Sequence, residues 1–451
     1  MTLFFMQPGS LSRGKEILYA FGMMGWSVQI NLIGVILTYF YLPPSSSGLP
    51  ALITQTAILG VFNIVSLVLP AGRLLDAVYD PLIAQWSDRS KNPKGRRIPM
   101  MKLAILPSVI FSFLVFYPPL YSQSGWNVFW LIVMLAGFYI STTTYSIPYN
   151  ALLPELAHTS ADKVRLASWQ SAGYVFGIAI SSNTFNLAEA LKVSFKIAEK
   201  IEAIQLAVLI MSILGGLFMF VTVVAINEKK HSHSQPSTVS LLPAIKHTLR
   251  NKNFRIFVVA DFSYFMAVTI ITSGLMYFVN VLLGLEESIG NKLMITMVLV
   301  SFVFYPVVNY LSGRITKKSM IVFSFLLLGL IFSGIFILGK IPFAPKTQIF
   351  TLIAFAAIPV ATLNILPNAI LSEVIEKDSL ETGQNKEALY FAVRYFFVKI
   401  AQSFGIALFS MLLTFGKDTG NDLGIRLNGI SGLVLCIGAA YIFSRFRETP
   451  Q

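Results

Sequence analysis

The feature that most constrains this chain is a series of twelve apolar runs, each close to 20 residues long or longer. A helix rises about 1.5 Å per residue, so about 20 apolar residues cross the roughly 30 Å hydrocarbon core of a bilayer. With 55% hydrophobic and 12% charged residues, the chain is too apolar for an ordinary soluble domain. The sequence therefore predicts an all-α integral membrane protein. The predicted spans are 17–42, 54–86, 101–119, 128–153, 166–188, 203–226, 255–283, 291–312, 320–338, 348–371, 388–414 and 428–445.

One long polar interruption divides the spans six and six. It covers residues 227–254, and its serine, proline and histidine content is typical of a linker rather than of a folded domain. We therefore predict a six-helix bundle over 1–226, a cytoplasmic linker over 227–254 and a second six-helix bundle over 255–451.

Short internal repeats indicate two related halves. "NALLPELA" (150–157) closes span four and "NAILSEVI" (368–375) closes span ten, while "FGIA" occurs in span five (176–179) and in span eleven (404–407). Because both pairs occupy matching places, the sequence predicts a duplicated six-helix unit, an organisation known from transporters built of two parallel repeats.

The net charge of +13 is unevenly distributed. If the termini and the even-to-odd connections lie on one side, 23 of the 34 Lys and Arg residues lie there and eight lie in the opposite loops. Positive residues concentrate on the cytoplasmic side, so we predict both termini in the cytoplasm and an inner (plasma) membrane location. The basic charge then reports topology, and we expect no nucleic-acid binding. We expect a monomer whose partners are the lipid bilayer and a small-molecule substrate.

Span two carries three ions where the chain crosses the membrane. Arg73, Asp76 and Asp80 are spaced i, i+3 and i+7 and so share one stripe of a helix. Counted from the cytoplasmic end of the span, Asp80 lies about 12 Å deep and Asp76 about 18 Å deep. A charge at the bilayer centre costs about 2.5–3.5 kcal/mol, so ions at this depth indicate a functional site.

Span eleven supplies opposite charges. It contains Arg394 and Lys399, and Lys399 lies about 18 Å deep, level with Asp76. If spans two and eleven face each other, Arg73 and Lys399 neutralise Asp76 and Asp80. Two carboxylates one turn apart repel each other when both are ionised, and a bound Na⁺, Li⁺ or H⁺ would reduce this repulsion. Lys399, Arg73 and Arg394 would then couple the binding of that ion to transport. The alternative is a permanent ion-pair network that only fixes helix packing.

Three more acids lie in or beside the spans. Asp261 comes soon after the start of span seven and is interpreted as an acid near the membrane surface. Glu155 and Glu373 end the two repeated segments, and we expect each of them to pair with basic residues of neighbouring loops.

Aromatic residues are frequent in the spans of the first half. Their rings could stack on a sugar ring or line an acyl chain, and the alternative is ordinary packing or anchoring at the membrane interface. These residues are Trp26, Tyr79, Tyr145, Tyr149 and Trp169.

Several motifs together resemble the glycoside-pentoside-hexuronide:cation symporters, the melibiose-permease-like branch of the major facilitator superfamily. They are "RLLDAVYDP" (73–81), "DRSKNPKGRRIP" (88–99), "YSIPYNALLPEL" (145–156) and the lysine midway along span eleven. The resemblance extends over all twelve spans. It implies the major facilitator fold of two six-helix bundles and cation-coupled symport by alternating access.

The resemblance also assigns roles to residues. The two span-two acids form the cation site in that family, which implies Asp76 and Asp80 here, and a threonine of span four corresponds to Thr143. The span-eleven lysine, Lys399 here, is associated with the same site. The loop after span two resembles the superfamily's gating loop, whose charges close the cytoplasmic side. The corresponding residues are Asp88, Arg89, Lys94, Gly95, Arg96 and Arg97.

Around the substrate, the chain departs from the melibiose permease. Acids of spans one and four are replaced by Ser27 and Ser146, and an arginine of span five is replaced by Gln170. An asparagine between the two span-two acids is replaced by Tyr79, which makes H⁺ a candidate coupling ion beside Na⁺. The residues expected to line the substrate cavity are Trp26, Ser27, Tyr79, Ser146, Tyr149, Trp169 and Gln170.

The sequence therefore predicts a secondary active transporter that couples H⁺ or Na⁺ to symport of a sugar, glycoside or sugar acid, with no cofactor besides the ion. A related branch carries lysophospholipids with the same span-two acids, so transport of an amphiphile is one alternative. A proton-coupled exporter is another, although exporters commonly place an acid in span one. An enzyme is not expected, because the single cysteine and four histidines show no metal-ligand spacing and no convergent nucleophile and base are evident.

Overall fold

The computed structural model describes residues 11–56, 62–90, 92–93, 95–157, 160–228, 245–246, 248–382 and 387–447. Lys94 and most of the predicted linker, 229–244 and 247, lie outside these residues. The described part is built from helices, and each of the twelve predicted spans overlaps one helix or successive helices. The helix of span two begins at Ile64 and not at 54 as predicted. The predicted all-α fold is confirmed.

In the first half of the chain, the first predicted span is two helices joined by a π-helical turn, Leu32–Ile36. A kink of this kind lets one span change direction inside the membrane. The helices are α1 Arg13–Asn31, α2 Leu37–Tyr41, α3 Ile64–Arg89, α4 Ile98–Leu114, α5 Gly125–Leu156, α6 Ser160–Ser181, α7 Thr184–Phe195 and α8 Lys200–Ala225.

The second half begins in the same way, because its first helix also runs into a π-helical turn, Phe278–Leu282. This matching feature in spans one and seven agrees with the predicted duplication. The helices are α9 Lys252–Tyr277, α10 Ser288–Ser312, α11 Lys317–Ile337, α12 Pro345–Thr382, α13 Glu387–Leu412 and α14 Leu423–Phe443.

Length and apolar composition agree with a membrane protein. Within the described ranges, nine helices or joined helices are long and apolar enough to cross a bilayer. Helix α4 is apolar but has only 17 residues, and α3 carries Arg73, Asp76 and Asp80 along its middle. Helix α6, with 22 residues, also falls outside the nine.

Residue contacts group the described chain into two compact units. Because residues 35–77 belong to spans one and two but pack with helices of the second half, these units differ from the predicted domains, whose boundaries stay a prediction. Unit 1 takes in the described residues of Met1–Gly34, Val78–Pro119 and Trp126–Thr238, and unit 2 those of Val35–Ala77, Leu120–Gly125 and Val239–Gln451.

Inside unit 1, α1 packs against α6 and α8. The rings of Tyr19 and Tyr149 stack with centroids 4.5 Å apart, and each hydroxyl donates to the other residue's carbonyl oxygen, at 3.0 and 2.9 Å. A Cβ atom at Gly25 would meet the carbonyl oxygen of Gly215, so glycine allows α1 and α8 to touch. These contacts fix α1 and α5, which carry several predicted cavity residues.

Inside unit 2, α9 packs against α13 and α14, and the chain from Val35 onwards joins this group. The Tyr277 hydroxyl donates to the carbonyl oxygen of Leu42 at 2.7 Å, and the Tyr39 hydroxyl donates to Glu287 Oε1 at 2.6 Å. Buried polar groups need such partners. These bonds therefore explain why the end of span one belongs with helices of the second half.

Candidate functional site

The central feature of the site is an ion pair between α3 and α13. Asp76 Oδ2 lies 2.8 Å from Lys399 Nζ, and the Asp76 carboxylate is nearly enclosed while the lysine side chain is 23% exposed. One turn away on α3, Arg73 Nη1 donates to Gln402 Oε1 at 2.9 Å. Spans two and eleven therefore bring these groups together, as their equal depths predict.

Asp80 follows Asp76 by one turn of α3 and is half-buried. At this spacing the two carboxylates share a helix face, where they repel when both are ionised. Thr143 is buried in α5. Carboxylate and hydroxyl oxygens are ligands suited to a hard cation. The role of Asp76, Asp80 and Thr143 as cation ligands stays a prediction.

Arg394 forms a separate, buried ion pair. Its Nε and Nη2 donate to the two oxygens of Asp261 at 2.8 and 3.0 Å, and its Nη1 donates to Asn368 Oδ1 at 2.5 Å. Asp261 is only 5% exposed, because it faces α13, where Arg394 encloses it. Burial within the protein does not report depth in the membrane, so the interpretation of Asp261 as an acid near the membrane surface stays a prediction.

Of the predicted cavity residues, two lie within the packed interior of unit 1 in this structure. The Ser27 hydroxyl is fully buried and donates to the carbonyl oxygen of Tyr174 at 2.7 Å. Tyr149 is fully buried against Tyr19. Both side chains thus hold helices together here, and neither presents a surface to a ligand.

The remaining cavity candidates of the first half are more open. Trp26 is half-buried and its ring lies 6.3 Å from that of Tyr174. Trp169 is exposed, and its neighbour Gln170 donates from Nε2 to Asn150 Oδ1 at 2.6 Å. Ser146 and Tyr79 are half-buried. Trp26, Trp169 and Gln170 belong to α1 and α6, which pack together.

Ion pairs and a hydrogen bond hold the predicted gating loop in place at Arg96 and Arg97. Glu155 Oε1 lies 3.5 Å from Arg96 Nη2 and 3.3 Å from Arg97 Nη2, and Arg97 Nη1 donates to Ser87 Oγ at 2.8 Å. In unit 2, Lys317 and Glu373 form the matching pair. The prediction that Glu155 and Glu373 pair with basic residues of neighbouring loops is confirmed. Of the other loop residues, Asp88 lies in the last turn of α3 and the exposed Arg89 ends that helix.

Glu228, just after α8, caps the N-terminus of α4. Its carboxylate accepts hydrogen bonds from the backbone N–H groups of Arg96, Arg97 and Ile98 at 2.7–3.1 Å. Gly95 has φ +121° and lies against this carboxylate, where a side chain would collide. Unpaired N–H groups at a helix start carry partial positive charge, so a carboxylate there satisfies and stabilises them.

We expect Glu228→Ala to lower the free energy of unfolding by about 1–3 kcal/mol, because buried N–H groups at the start of α4 lose their acceptor. Glu228→Gln keeps one carbonyl oxygen and should lose less. The melting temperature of the purified protein reports both changes, with Glu202→Ala, an exposed acid of α8, as the control. An alanine variant as stable as the wild type would contradict the capping role.

Sequence reasoning missed four functional candidates: Glu228, the pairing of Asp261, and the exposed amides Asn364 and Asn368 of α12. A signal for the amides was present. The 218-residue offset of the repeated segments places Asn368 opposite Asn150, which begins the first of them. Glu228 carried no such signal, because its partners lie far away in the chain.

A helical membrane protein with ions paired between two of its spanning helices has the organisation of a secondary transporter. The chain belongs to the family described as MFS/sugar transport protein, whose model matches residues 18–437. The resemblance to cation symporters of the major facilitator superfamily is confirmed at this level. The protein is thus an integral membrane transporter of a small molecule and not an enzyme.

Three relatives cover most of the chain. "Uncharacterized symporter sll1374" of Synechocystis sp. is 22% identical and covers 88% of this chain and 85% of its own length. "Inner membrane symporter YicJ" of Escherichia coli is 21% identical, with coverages of 91% and 84%. "Sodium-dependent lysophosphatidylcholine symporter 1-A" of Danio rerio is 21% identical, with coverages of 79% and 71%. All three relatives are named as symporters.

Solved structures show the same fold. A bacterial homolog to the human lysosomal transporter Spinster, in an inward-facing conformation, has a TM-score of 0.66 at 13% identity and covers 98% of this chain and 100% of its own. A D-xylose-proton symporter has a TM-score of 0.66 at 14% identity, with coverages of 96% and 97%. The fold is therefore that of the major facilitator transporters.

Proposed function

We propose that the protein couples H⁺ or Na⁺ movement to symport of a sugar, glycoside or sugar acid by alternating access, in the plasma membrane and with both termini in the cytoplasm. The observation that carries the proposal is the Asp76–Lys399 ion pair between α3 and α13, with the second acid Asp80 one turn away. In this proposal Asp76 and Asp80 bind the coupling ion, and Thr143 supplies a further oxygen.

In this proposal, Lys399 and the coupling ion compete for Asp76, and this competition couples ion binding to transport. Lys399 neutralises Asp76 when no cation is bound, whereas a cation between the two carboxylates takes over that role and frees Lys399 for another partner. Without the ion, Asp76, Asp80, Arg73 and Lys399 sum to zero charge. A bound monovalent cation adds one positive charge, so the freed Lys399 needs a new partner, because an unpaired buried charge is costly. In this proposal the carrier reorients when ion and substrate are both bound or both absent.

A lysophospholipid is the second candidate substrate. The observation that favours it is the similarity to relatives named sodium-dependent lysophosphatidylcholine symporters, at 20–21% identity. Both candidates use the same acids of α3, so they differ only in what the cavity accepts.

Uptake into proteoliposomes tests the proposal. We expect an inward gradient of Na⁺ or H⁺ to drive accumulation of a sugar, a sugar acid or lysophosphatidylcholine above its external concentration, because the ion and the substrate cross together. An ionophore that collapses the gradient serves as the control and should reduce uptake to equilibration. If no gradient of either ion raised uptake above equilibration, symport would be refuted.

A further inference from the structure

Helix α12 carries an exposed polar stripe. Its members recur every four residues and are Asn364, Asn368, Ser372 and Glu376. Asn364 lies at the middle of this 38-residue helix, where an amide facing hydrocarbon loses hydrogen bonds with water at a cost of about 1–3 kcal/mol. A polar stripe at this place in the helix is therefore expected to face water or a ligand rather than lipid. Asn364 and Asn368 are called the amide pair below.

The amide pair is oriented by its neighbours within unit 2. The Tyr264 hydroxyl donates to Asn364 Oδ1 at 3.0 Å, and Arg394 Nη1 donates to Asn368 Oδ1 at 2.5 Å. Donors occupy both side-chain carbonyl oxygens, so the amide nitrogens are the donors of the pair. The Asn364 amide also lies within hydrogen-bond reach of the Tyr305 hydroxyl, and one of its two hydrogens remains for a ligand. Asn368 Nδ2 uses one hydrogen on the carbonyl oxygen of Asn364, at 3.3 Å, and retains the other. The pair thus offers N–H donors to ligand oxygens.

An exposed aromatic residue follows the arginine that contacts the amide pair. Tyr395 is 59% exposed and follows Arg394, whose guanidinium contacts Asn368. It precedes Lys399 by one turn of α13, so it shares the helix face that reaches α3. The ring stacks on Phe391 with centroids 6.5 Å apart, and its exposed side suits stacking against a sugar ring.

The surroundings of the amide pair are electrically balanced. Asp261 binds Arg394 through both carboxylate oxygens, so the cation that contacts Asn368 is already paired. A ligand carboxylate or phosphate placed at the amide pair would lose hydration without gaining this cation, which is costly, whereas hydroxyl groups need only hydrogen bonds.

We infer that Asn364, Asn368 and Tyr395 form a substrate-contact site in the second half of the chain that takes an uncharged, hydroxyl-bearing ring and selects it against the corresponding acid. This inference rests on the proposed function and narrows its substrate class. The amide nitrogens donate to ring hydroxyls, and the Tyr395 ring covers an apolar face.

The repeat supports the assignment independently. Its 218-residue offset places Ser146 opposite Asn364 and Asn150 opposite Asn368. In unit 1, Gln170 of α6 donates to Asn150 Oδ1, and in unit 2, Arg394 of α13 donates to Asn368 Oδ1. Each half therefore orients an exposed asparagine at the same place with a donor from the following predicted span.

Ligand binding by the purified full-length protein tests the inference. The probes are D-glucose, D-galactose, D-xylose and their methyl glycosides, compared with D-glucuronate, D-galacturonate and lysophosphatidylcholine, each with Na⁺ or at lowered pH, by thermal shift. We expect at least one neutral sugar to bind, and the uronates to bind at least about tenfold more weakly. Asn364→Ala, Asn368→Ala and Tyr395→Ala should each weaken the neutral sugar by roughly tenfold, and Tyr395→Phe should weaken it much less.

Asn309→Ala, at an exposed asparagine of α10, is the matched control and should bind as the wild type does. Asn364→Ala leaves the hydrogen bonds of Arg394 in place, so it keeps the test decisive if Asn368→Ala does not fold. Wild-type affinity in Asn364→Ala, equal affinity for a uronate, or binding of no neutral sugar would overturn the inference.

The two proposals fail separately. If an ion gradient drives uptake but Asn364→Ala binds normally, the contact site is wrong and symport stands. If the variant loses sugar binding but no ion gradient drives uptake, symport is wrong and the contact site stands.

Discussion

Replacement of Asp80 with asparagine is expected to abolish ion-driven accumulation of substrate while leaving exchange of substrate across the membrane measurable. The amide is similar in size to the carboxylate but carries no charge, so Asp76 alone remains to attract the cation, and Lys399 already neutralises Asp76 at 2.8 Å. The cation then loses one of its two proposed carboxylate ligands. Without bound cation the gradient cannot drive the substrate uphill.

Two assays on the same proteoliposomes separate these steps. Uptake under an imposed ion gradient reports coupling, and counterflow at equal ion concentrations reports exchange. Glu202→Gln, which removes an exposed acid of α8, is the control and should behave as the wild type in both assays. Full accumulation by the Asp80→Asn variant would remove Asp80 from the coupling mechanism.

Removal of either partner of the Asp261–Arg394 pair is expected to be the most destabilising single change in unit 2. The pair is bidentate, and the two residues are 5% and 6% exposed. Truncating one partner leaves the other charge buried and unpaired, which costs about 3–5 kcal/mol. The melting temperatures of Asp261→Ala and Arg394→Ala should therefore fall sharply.

A double variant decides whether the loss comes from the unpaired charge. Asp261→Leu combined with Arg394→Met replaces the pair by apolar groups, and its stability should exceed that of either single alanine variant. Asp162→Asn, in the more exposed pair with Arg165, should cost about 1 kcal/mol or less. Alanine variants as stable as the wild type would show that the pair does not hold α9 to α13.

Spacing and depth along the chain predicted much of this molecule. Apolar runs gave the helices, and equal depths in spans two and eleven predicted the contact of Asp76 with Lys399. Rotation about a helix axis was harder to predict, because an apolar span has no clear polar face. The burial of Asp261 against Arg394, and that of Ser27 and Tyr149, was therefore not foreseen.

Contacts between distant segments set the second limit. The cap on α4 comes from Glu228, about 130 positions away, and no local pattern marks it. The amide pair of α12 was different, because the repeat already aligned it with a segment of interest in the first half. The same 218-residue offset places Asn364 opposite Ser146, one turn before the repeated segments begin.

The central claim is that one coupling cation binds at Asp76 and Asp80. Its most direct test is a titration of the purified protein with Na⁺ at fixed pH, and with H⁺ at fixed Na⁺, followed by the melting temperature. Wild-type protein should be stabilised saturably by one of the two ions, since binding to the folded state stabilises it, and the Asp76→Asn/Asp80→Asn double variant should show no such rise. An equal, saturable rise in both proteins would contradict the claim.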